Sequence, residues 1–139
     1  MTPKFHTLSI SDIRKETEDT VSIAFDVPSE LKNDYAFLAG QYLTLKTIIN
    51  GEDVRRSYSL CSAPHEGEYR VAIKEVENGI FSTFANNTLK ESDSLDVMTP
   101  TGNFCLHPTK EANKTYALFA AGSEIFVYRF EFELITLLL

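Results

Sequence analysis

Hydrophobic and polar residues alternate along this chain in short runs that turn-forming residues separate. In residues 21–27, Val, Ile, Phe and Val alternate with Ser, Ala and Asp, which predicts a strand with one buried face. Comparable runs predict strands at 5–11, 43–49, 54–60, 69–73 and 95–98. We expect a charged turn over 14–19 and a hairpin at Asn50-Gly51, since Asn-Gly between strand-like runs is a strong hairpin signal.

One segment has helical spacing instead. Phe81, Phe84, Ala85, Thr88 and Leu89 follow one another at the intervals of one helix face. The 139 residues suffice for one core and are too few for two ordinary domains. Five or six short strands with one short α-helix therefore predict a mainly β domain, a small antiparallel barrel.

Composition narrows the classes of partner. The net charge of -7 argues against nucleic acid, which requires a clustered basic surface. Cys61 and Cys105 are far apart, which predicts reduced thiols in an intracellular, cytoplasmic protein. His6, His65 and His107 are scattered, so we predict no metal site. We expect no signal peptide and find no apolar run of membrane-spanning length, so we also predict no membrane partner.

The segment Arg55-Arg56-Ser57-Tyr58-Ser59-Leu60-Cys61-Ser62 carries the first sign of chemistry. A regular strand would place Arg56, Tyr58 and Ser62 on one face. A guanidinium beside an aromatic ring suits a ligand that has both a phosphate and a flat ring system. Taken alone, the pattern is weak, because strand arginines and tyrosines are more often solvated or paired across strands.

A second sign is Asn78-Gly79-Ile80-Phe81-Ser82, where the predicted helix begins. A helix start offers free backbone N–H groups to an anion, and Gly79 would let a ligand approach closely. An ordinary turn with a capping role is the alternative for Asn78 and Gly79. The two signs together are more specific than either alone.

Four motifs in this order resemble the flavin-binding domain of the ferredoxin–NADP reductase superfamily. They are Ala39-Gly40-Gln41-Tyr42, Arg56-x-Tyr58-Ser59, Gly79-x-x-Ser82 and Pro100-x-Gly102-x-Phe104. The similarity extends over residues 3–123. The amino-acid sequence around Arg56 is most similar to that of the reductase components of phenylacetyl-CoA epoxidase systems, which serve phenylacetate degradation. The resemblance implies a six-stranded antiparallel Greek-key barrel and FAD as cofactor, with FMN less expected.

The resemblance also implies roles for individual residues. Arg56 would bind the flavin pyrophosphate, Tyr58 would pack against the isoalloxazine, and Ser59 would approach flavin N5 as the catalytic residue. Backbone of two further segments would flank the flavin and complete the pyrophosphate site: Val71, Ala72, Ile73 and Lys74, and Gly79, Ile80, Phe81 and Ser82.

The implied activity is that of an FAD-dependent NAD(P)H oxidoreductase. In such an enzyme NAD(P)H reduces the flavin, which passes electrons to an iron–sulfur centre or an oxygenase, and the cofactor supplies the chemistry. The competing hypothesis is a ligand-free β-barrel interaction domain that retains the fold without the cofactor, because fold alone does not settle function.

We divide the chain into an FAD-binding β-barrel domain at 1–112, the start of a nicotinamide-binding domain at 113–123, and a divergent apolar tail at 124–139. Glu124 stands where that superfamily has a second glycine, and a carboxylate there would repel a dinucleotide phosphate. The tail has three explanations: a shifted reading frame or altered gene end, a real terminal strand, or a segment that pairs with another chain. We favour the first as its origin and dimerisation through the tail as its consequence.

We therefore predict that NADH and NADPH reduce flavin on this chain slowly or not at all, whereas dithionite bleaches it readily. Hydride transfer needs the nicotinamide held against N5, and dithionite needs no such site. Stopped-flow absorbance with each reductant measures this difference. Fast, saturable bleaching by NADH would show that the tail or a partner rebuilds the site.

Overall fold

Residues 3–105 are described by the computed structural model, and they form six strands and one helix. The strands are β1 Phe5–Thr17, β2 Thr20–Asp26, β3 Tyr42–Ile49, β4 Glu52–Ser59, β5 Tyr69–Lys74 and β6 Ser94–Met98, and helix α1 is Ile80–Asn87. Two 3-10 turns lie at Ser29–Leu31 and Pro64–Glu66. The expectations for 113–123, for the tail and for its dimerisation fall outside the described residues.

All six strands belong to one antiparallel sheet with the order β4-β3-β6-β1-β2-β5. β6 lies between β3 and β1, so strands distant in sequence are neighbours in the sheet. The sheet curls until its two edge strands approach each other, but in the described part of the chain they are joined by one isolated bridge, Leu60 with Val71. The prediction of a mainly β fold with six antiparallel strands and one short helix is confirmed, and its shape is a curled half-barrel.

The β3–β4 hairpin turns at the predicted dipeptide. Asn50 and Gly51 have φ angles of 52° and 85°, and consecutive left-handed residues define the type I′ turn that suits the twist of paired strands. The turn sets the register, with Ile49 opposite Glu52. Because side chains alternate between faces, this register also determines which residues of β4 point inward.

The core lies in the concavity of the half-barrel, and α1 covers part of it. Phe81 and Ala85 are the buried hydrophobic residues of the helix. They join a cluster contributed by all six strands, which includes Leu8, Ile10, Ile23, Leu43, Leu45, Val54, Val71, Ile73, Leu95 and Val97. Tyr35 is fully buried among them, and its hydroxyl donates to the carbonyl oxygen of Val97 at 2.7 Å. A buried phenol requires such a partner.

Two local predictions are wrong. Residues 14–17, three of which are charged, do not form a turn, because β1 continues to Thr17 with those side chains in solvent, and the turn is confined to Glu18-Asp19. β2 is not half-buried, since Ser22 and Ala24 on its outer face are each 2% exposed. Arg70 accounts for the burial of Ser22, because its guanidinium lies over β2 and donates to the Ser22 hydroxyl at 2.8 Å.

The described residues contain no helix with the length and apolarity to cross a membrane.

Candidate functional site

Strand β4 presents Arg56 and Tyr58 on its inner face. Val54 and Leu60 share that face and are buried, at 6% and 4% exposure. Arg56 is exposed and Tyr58 is half-buried, although their neighbours opposite on β3, Leu45 and Leu43, are fully buried. The inner face of β4 is therefore covered at both ends and open at Arg56, where a guanidinium and a phenol ring can be reached from outside.

Arg56 and Arg55 have different partners. Arg55 holds Asp53 with two nitrogens, each 3.0 Å from a carboxylate oxygen, and this hydrogen bonding lowers the pKa of Asp53. Within residues 3–105, Arg56 has no carboxylate partner. Its Nη1 donates only to the carbonyl oxygen of Arg55, at 2.6 Å. A guanidinium without a counter-ion retains most of its donors for an external anion.

Tyr58 connects β4 to the helix. Its ring centroid lies 5.8 Å from that of Phe81, with the planes tilted by 36°, a common aromatic packing distance. Burial raises the pKa of Tyr58 to about 12, and the positive charge of Arg56 acts in the opposite direction. A phenol is neutral at physiological pH even at its ordinary pKa, and Tyr58 follows Arg56 by two residues on the same strand face, so the two can act on one ligand.

Ser59 is the last residue of β4 and is half-buried. Strand alternation points its side chain to the face opposite Tyr58. Ser59 can therefore border a ligand that contacts Tyr58 only because it lies at the end of the strand. Beyond it, Leu60 joins Val71. Ser59 therefore lies just before the bridge that joins the two edge strands.

The predicted segment 71–74 forms most of edge strand β5. Val71 and Ile73 are fully buried, whereas Ala72 is half-buried and Lys74 is exposed. The Ile73 carbonyl accepts a hydrogen bond from Asn86 of α1 at 3.1 Å, and Lys74 lies 3.3 Å from an oxygen of Asp19. This strand pairs with β2 on one side only, so the backbone edge of Ala72 faces the gap toward β4.

The start of α1 has no side-chain cap. Its first backbone bond runs from the Thr83 N–H to the Gly79 carbonyl at 2.9 Å. The N–H groups of Ile80, Phe81 and Ser82 thus have no intrahelical acceptor. They form the group of donors that the sequence predicts at this position.

The Ser82 hydroxyl braces the turn before the helix. It donates to the Gly79 carbonyl and accepts from the Val76 N–H, each at 3.2 Å, and the residue is 6% exposed. A Cβ at Gly79 would lie 2.3 Å from the Ser82 oxygen and 2.5 Å from a Val76 methyl carbon. The space beside Gly79 is therefore filled by the Ser82 hydroxyl and the Val76 side chain. Glycine is needed here for local packing, which differs from the predicted reason, the close approach of a ligand.

Ser62 is not on the face of Arg56 and Tyr58, so that prediction is wrong. The strand ends at Ser59, and Ser62 is buried in the following loop. Its hydroxyl donates to the Glu68 carbonyl at 2.7 Å and accepts from the Arg70 N–H at 3.1 Å. The neighbouring Cys61 is also buried, which raises the pKa of its thiol to about 11.

One groove in the described part of the chain is not lined by Arg56, Tyr58 or Ser59. It has a volume of about 540 Å³ and lies between α1 and the tip of the β3–β4 hairpin. Of the predicted residues, only Gly79 and Ile80 line it. Arg56 and Tyr58 belong to edge strand β4, where Arg56 is exposed and Tyr58 is half-buried.

Comparison with known families identifies this arrangement. The sequence model of the oxidoreductase FAD-binding domain family matches residues 7–105. The chain belongs to this family. The match includes the complete described sheet except the first residues of β1, together with both motifs that carry the predicted site, and the recognised resemblance is thus confirmed.

Relatives of this FAD-binding domain include components of oxygenase systems. One subunit of 1,2-phenylacetyl-CoA epoxidase from Escherichia coli K12 is 42% identical over 121 residues, which are 87% of this chain and 34% of that protein. The ferredoxin reductase component of 3-ketosteroid-9-alpha-monooxygenase from Rhodococcus rhodochrous is 35% identical over 120 residues, 85% of this chain and 33% of that protein. The chain spans about a third of the length of these relatives.

Solved structures share the fold. Phthalate dioxygenase reductase, a modular protein for electron transfer from pyridine nucleotides to a [2Fe-2S] centre, aligns with a TM-score of 0.60 and 30% identity over 74% of this chain and 32% of its own. The FAD/NAD-binding domain of nitric oxide dioxygenase from Vibrio cholerae aligns with a TM-score of 0.64 and 24% identity, over 75% of this chain and 46% of its own. The second likeness shows the fold alone.

The close contacts of Ser82 and Val76 with Gly79, at the start of the helix, allow a test of packing in the FAD-binding domain. Gly79→Ala should reduce the free energy of unfolding by about 1–3 kcal/mol, because the added methyl group overpacks the turn. Urea unfolding measures the loss. Val76→Ala changes a side chain that is 57% exposed and should recover part of the loss in the double variant. Equal stability of Gly79→Ala and the unaltered protein would show that the turn has room for a methyl group.

Proposed function

We propose that this domain binds FAD at the open gap between β4 and β5, with Arg56 on the pyrophosphate and Tyr58 against the isoalloxazine. Ser59 borders flavin N5 as the catalytic residue, and the backbone of Val71, Ala72, Ile73 and Lys74 flanks the ring. The observation that carries the proposal is Arg56, an exposed guanidinium without a carboxylate partner among the described residues, beside a neutral phenol.

The helix start supports the same ligand. Uncapped N–H groups at Ile80, Phe81 and Ser82 favour a phosphate, and Tyr58 packs directly on Phe81. Gly79 keeps this turn compact, and the Ser82 hydroxyl holds it in place. Because that hydroxyl already has two protein partners, we assign the pyrophosphate to the backbone N–H groups first and to the Ser82 side chain second.

The residues of the site fit a flavin in their chemistry as well as their position. A bound flavin supplies the transfer of hydride and single electrons. The protein binds the anionic end through Arg56 and packs one face of the ring with Tyr58. Burial raises the pKa of Tyr58 to about 12, which moves the phenol, already protonated at physiological pH, further from ionisation.

We further propose that the whole protein is an NAD(P)H-dependent reductase that passes electrons to an oxygenase or an iron–sulfur partner in the cytoplasm. Its support is the similarity to the phenylacetyl-CoA epoxidase component and to the reductase and electron transfer components of other oxygenases. A role in phenylacetate degradation is the most specific form of this proposal, because the epoxidase component is 42% identical to this chain and the other two oxygenase components are 35% and 34% identical.

The binding of flavin is tested by colour. Protein mixed with FAD and passed through a gel-filtration column should leave it yellow, with flavin absorbance in the protein peak. Mass spectrometry of the released flavin after incubation with FAD and FMN together should show FAD in excess. A colourless protein after this treatment would favour the ligand-free interaction domain.

The role of Arg56 can be separated from that of its neighbour. Arg56→Ala should weaken FAD binding by about 1.5–3 kcal/mol, the range for hydrogen bonds to a charged group. Arg55→Ala removes the same charge from the opposite face and should change affinity much less. Titration of FAD into both variants compares them directly, and equal losses would contradict the assignment.

The role of Tyr58 has a spectroscopic readout. Tyr58→Ala should weaken FAD binding and also raise the fluorescence of the bound flavin, because a stacked, electron-rich phenol quenches it. Steady-state fluorescence at saturating FAD measures the second effect independently of the first. Unchanged affinity and unchanged quenching would show that Tyr58 only packs on Phe81.

A further inference from the structure

The contact between the two edge strands depends on few bonds. At the bridge of Leu60 and Val71, the Cys61 N–H donates to the Arg70 carbonyl at 2.8 Å. The Arg70 N–H donates to the Ser62 hydroxyl at 3.1 Å. We call this contact, residues 60–62 against 70–71, the seam. Ser59 precedes it by one residue and Tyr58 by two, so the seam fixes where the end of β4 lies relative to β5.

The side chain of Arg70 anchors the seam to the rest of the sheet. It is 6% exposed and reaches three partners on different segments. It donates to Glu68 from two nitrogens at 3.0 and 2.8 Å, to Ser22 of β2 at 2.8 Å, and to the carboxylate of Asp12 of β1. Hydrogen bonds from Arg70 lower the pKa of both Asp12 and Glu68, so both carboxylates stay ionised.

Ion pairs of a buried guanidinium contribute little net stability, because the guanidinium must lose its hydration, while the Asp12 and Glu68 side chains remain 34% and 35% exposed. The Arg70 guanidinium can instead fix the relative positions of its partners, since a planar guanidinium forms hydrogen bonds in defined directions. Arg70 holds β1, β2 and the loop after β4 with one side chain, while its backbone makes the seam. No other described residue connects these three segments through one side chain.

We propose that Arg70 is a positioning residue for the flavin site: by fixing the seam, it sets the position of Tyr58 and Ser59 against the gap in which the ring lies. This role rests on the proposed function. Arg70 does not touch the flavin, since it lies on the outer face of β5 opposite Ala24, and it acts through the end of β4.

The test compares Arg70→Lys and Glu68→Gln with Arg55→Lys, in the full 139-residue chain. Arg70→Lys keeps the charge but cannot hold three partners at once. Glu68→Gln weakens the Arg70–Glu68 ion pair with a smaller change, and it replaces Arg70→Lys in the test if that variant does not fold. Arg55 makes the same two-nitrogen pair with Asp53 on an exposed face, so Arg55→Lys is the matched control.

Two measurements are made. Amide hydrogen exchange without flavin reports opening of the seam, and the Cys61 amide should exchange about tenfold faster in Arg70→Lys than in the control, since charged hydrogen bonds are lost. At saturating FAD, the fluorescence of each bound flavin should rise in Arg70→Lys and Glu68→Gln and stay unchanged in Arg55→Lys. In a Tyr58→Ala background, Arg70→Lys should cause no further rise, because the effect passes through Tyr58.

The outcomes are distinguishable. A faster Cys61 amide with unchanged flavin fluorescence would overturn the positioning role and leave Arg70 as a stabilising residue only. An additive rise in the Tyr58→Ala background would also overturn it, since the flavin would then respond by another route. If the unaltered chain binds no FAD, the proposed function fails and the positioning role fails with it, whereas the exchange rates still report whether Arg70 holds the seam.

Discussion

The incomplete closure of the sheet is the constraint on which the site depends. β4 and β5 each pair with a neighbour on one side, and within residues 3–105 they are bridged to each other where Leu60 faces Val71. A closed barrel would pair these edges and bury the inner face of β4. Because the sheet stops at a half-barrel, Arg56 and Tyr58 occupy inward positions and are still exposed or half-exposed. The helix then places its uncapped start beside the gap, since Phe81 packs on Tyr58.

The parts of the fold that the sequence predicts are those set by local rules. Alternation identifies the strands, and Asn50-Gly51 identifies the hairpin because only residues tolerant of positive φ suit that turn. The errors have long-range causes. Residues 14–17 look like a turn because they are charged, but a long strand whose side chains face solvent needs no hydrophobic alternation. The burial of Ser22 depends on Arg70, a residue 48 positions away in sequence.

In the candidate site, too, the sequence identifies the features that are local and does not identify those that depend on long-range contacts. Arg56, Tyr58, Gly79 and Ser82 belong to short motifs, and their resemblance to a known family can be recognised from residue order. The reasons for individual residues are not visible at that level, since Ser82 and Gly79 shape a turn through contacts with Val76. The sequence alone does not indicate the role of Arg70. A single arginine in a strand carries no signal until its partners, on β1, β2 and the loop after β4, are brought together.

A flavin bound at the open edge, as proposed above, would also affect the lifetime of the protein. An edge strand with unpaired backbone groups is a template for pairing with other chains, and a ligand that binds only the folded state shifts the folding equilibrium by mass action. At a free ligand concentration one hundred times the dissociation constant, that shift is about 2.7 kcal/mol, a large fraction of the stability of a typical domain. If FAD binds at this edge as proposed, the supply of flavin sets how much of the domain stays folded, and a domain without flavin is the more exposed to proteolysis and aggregation.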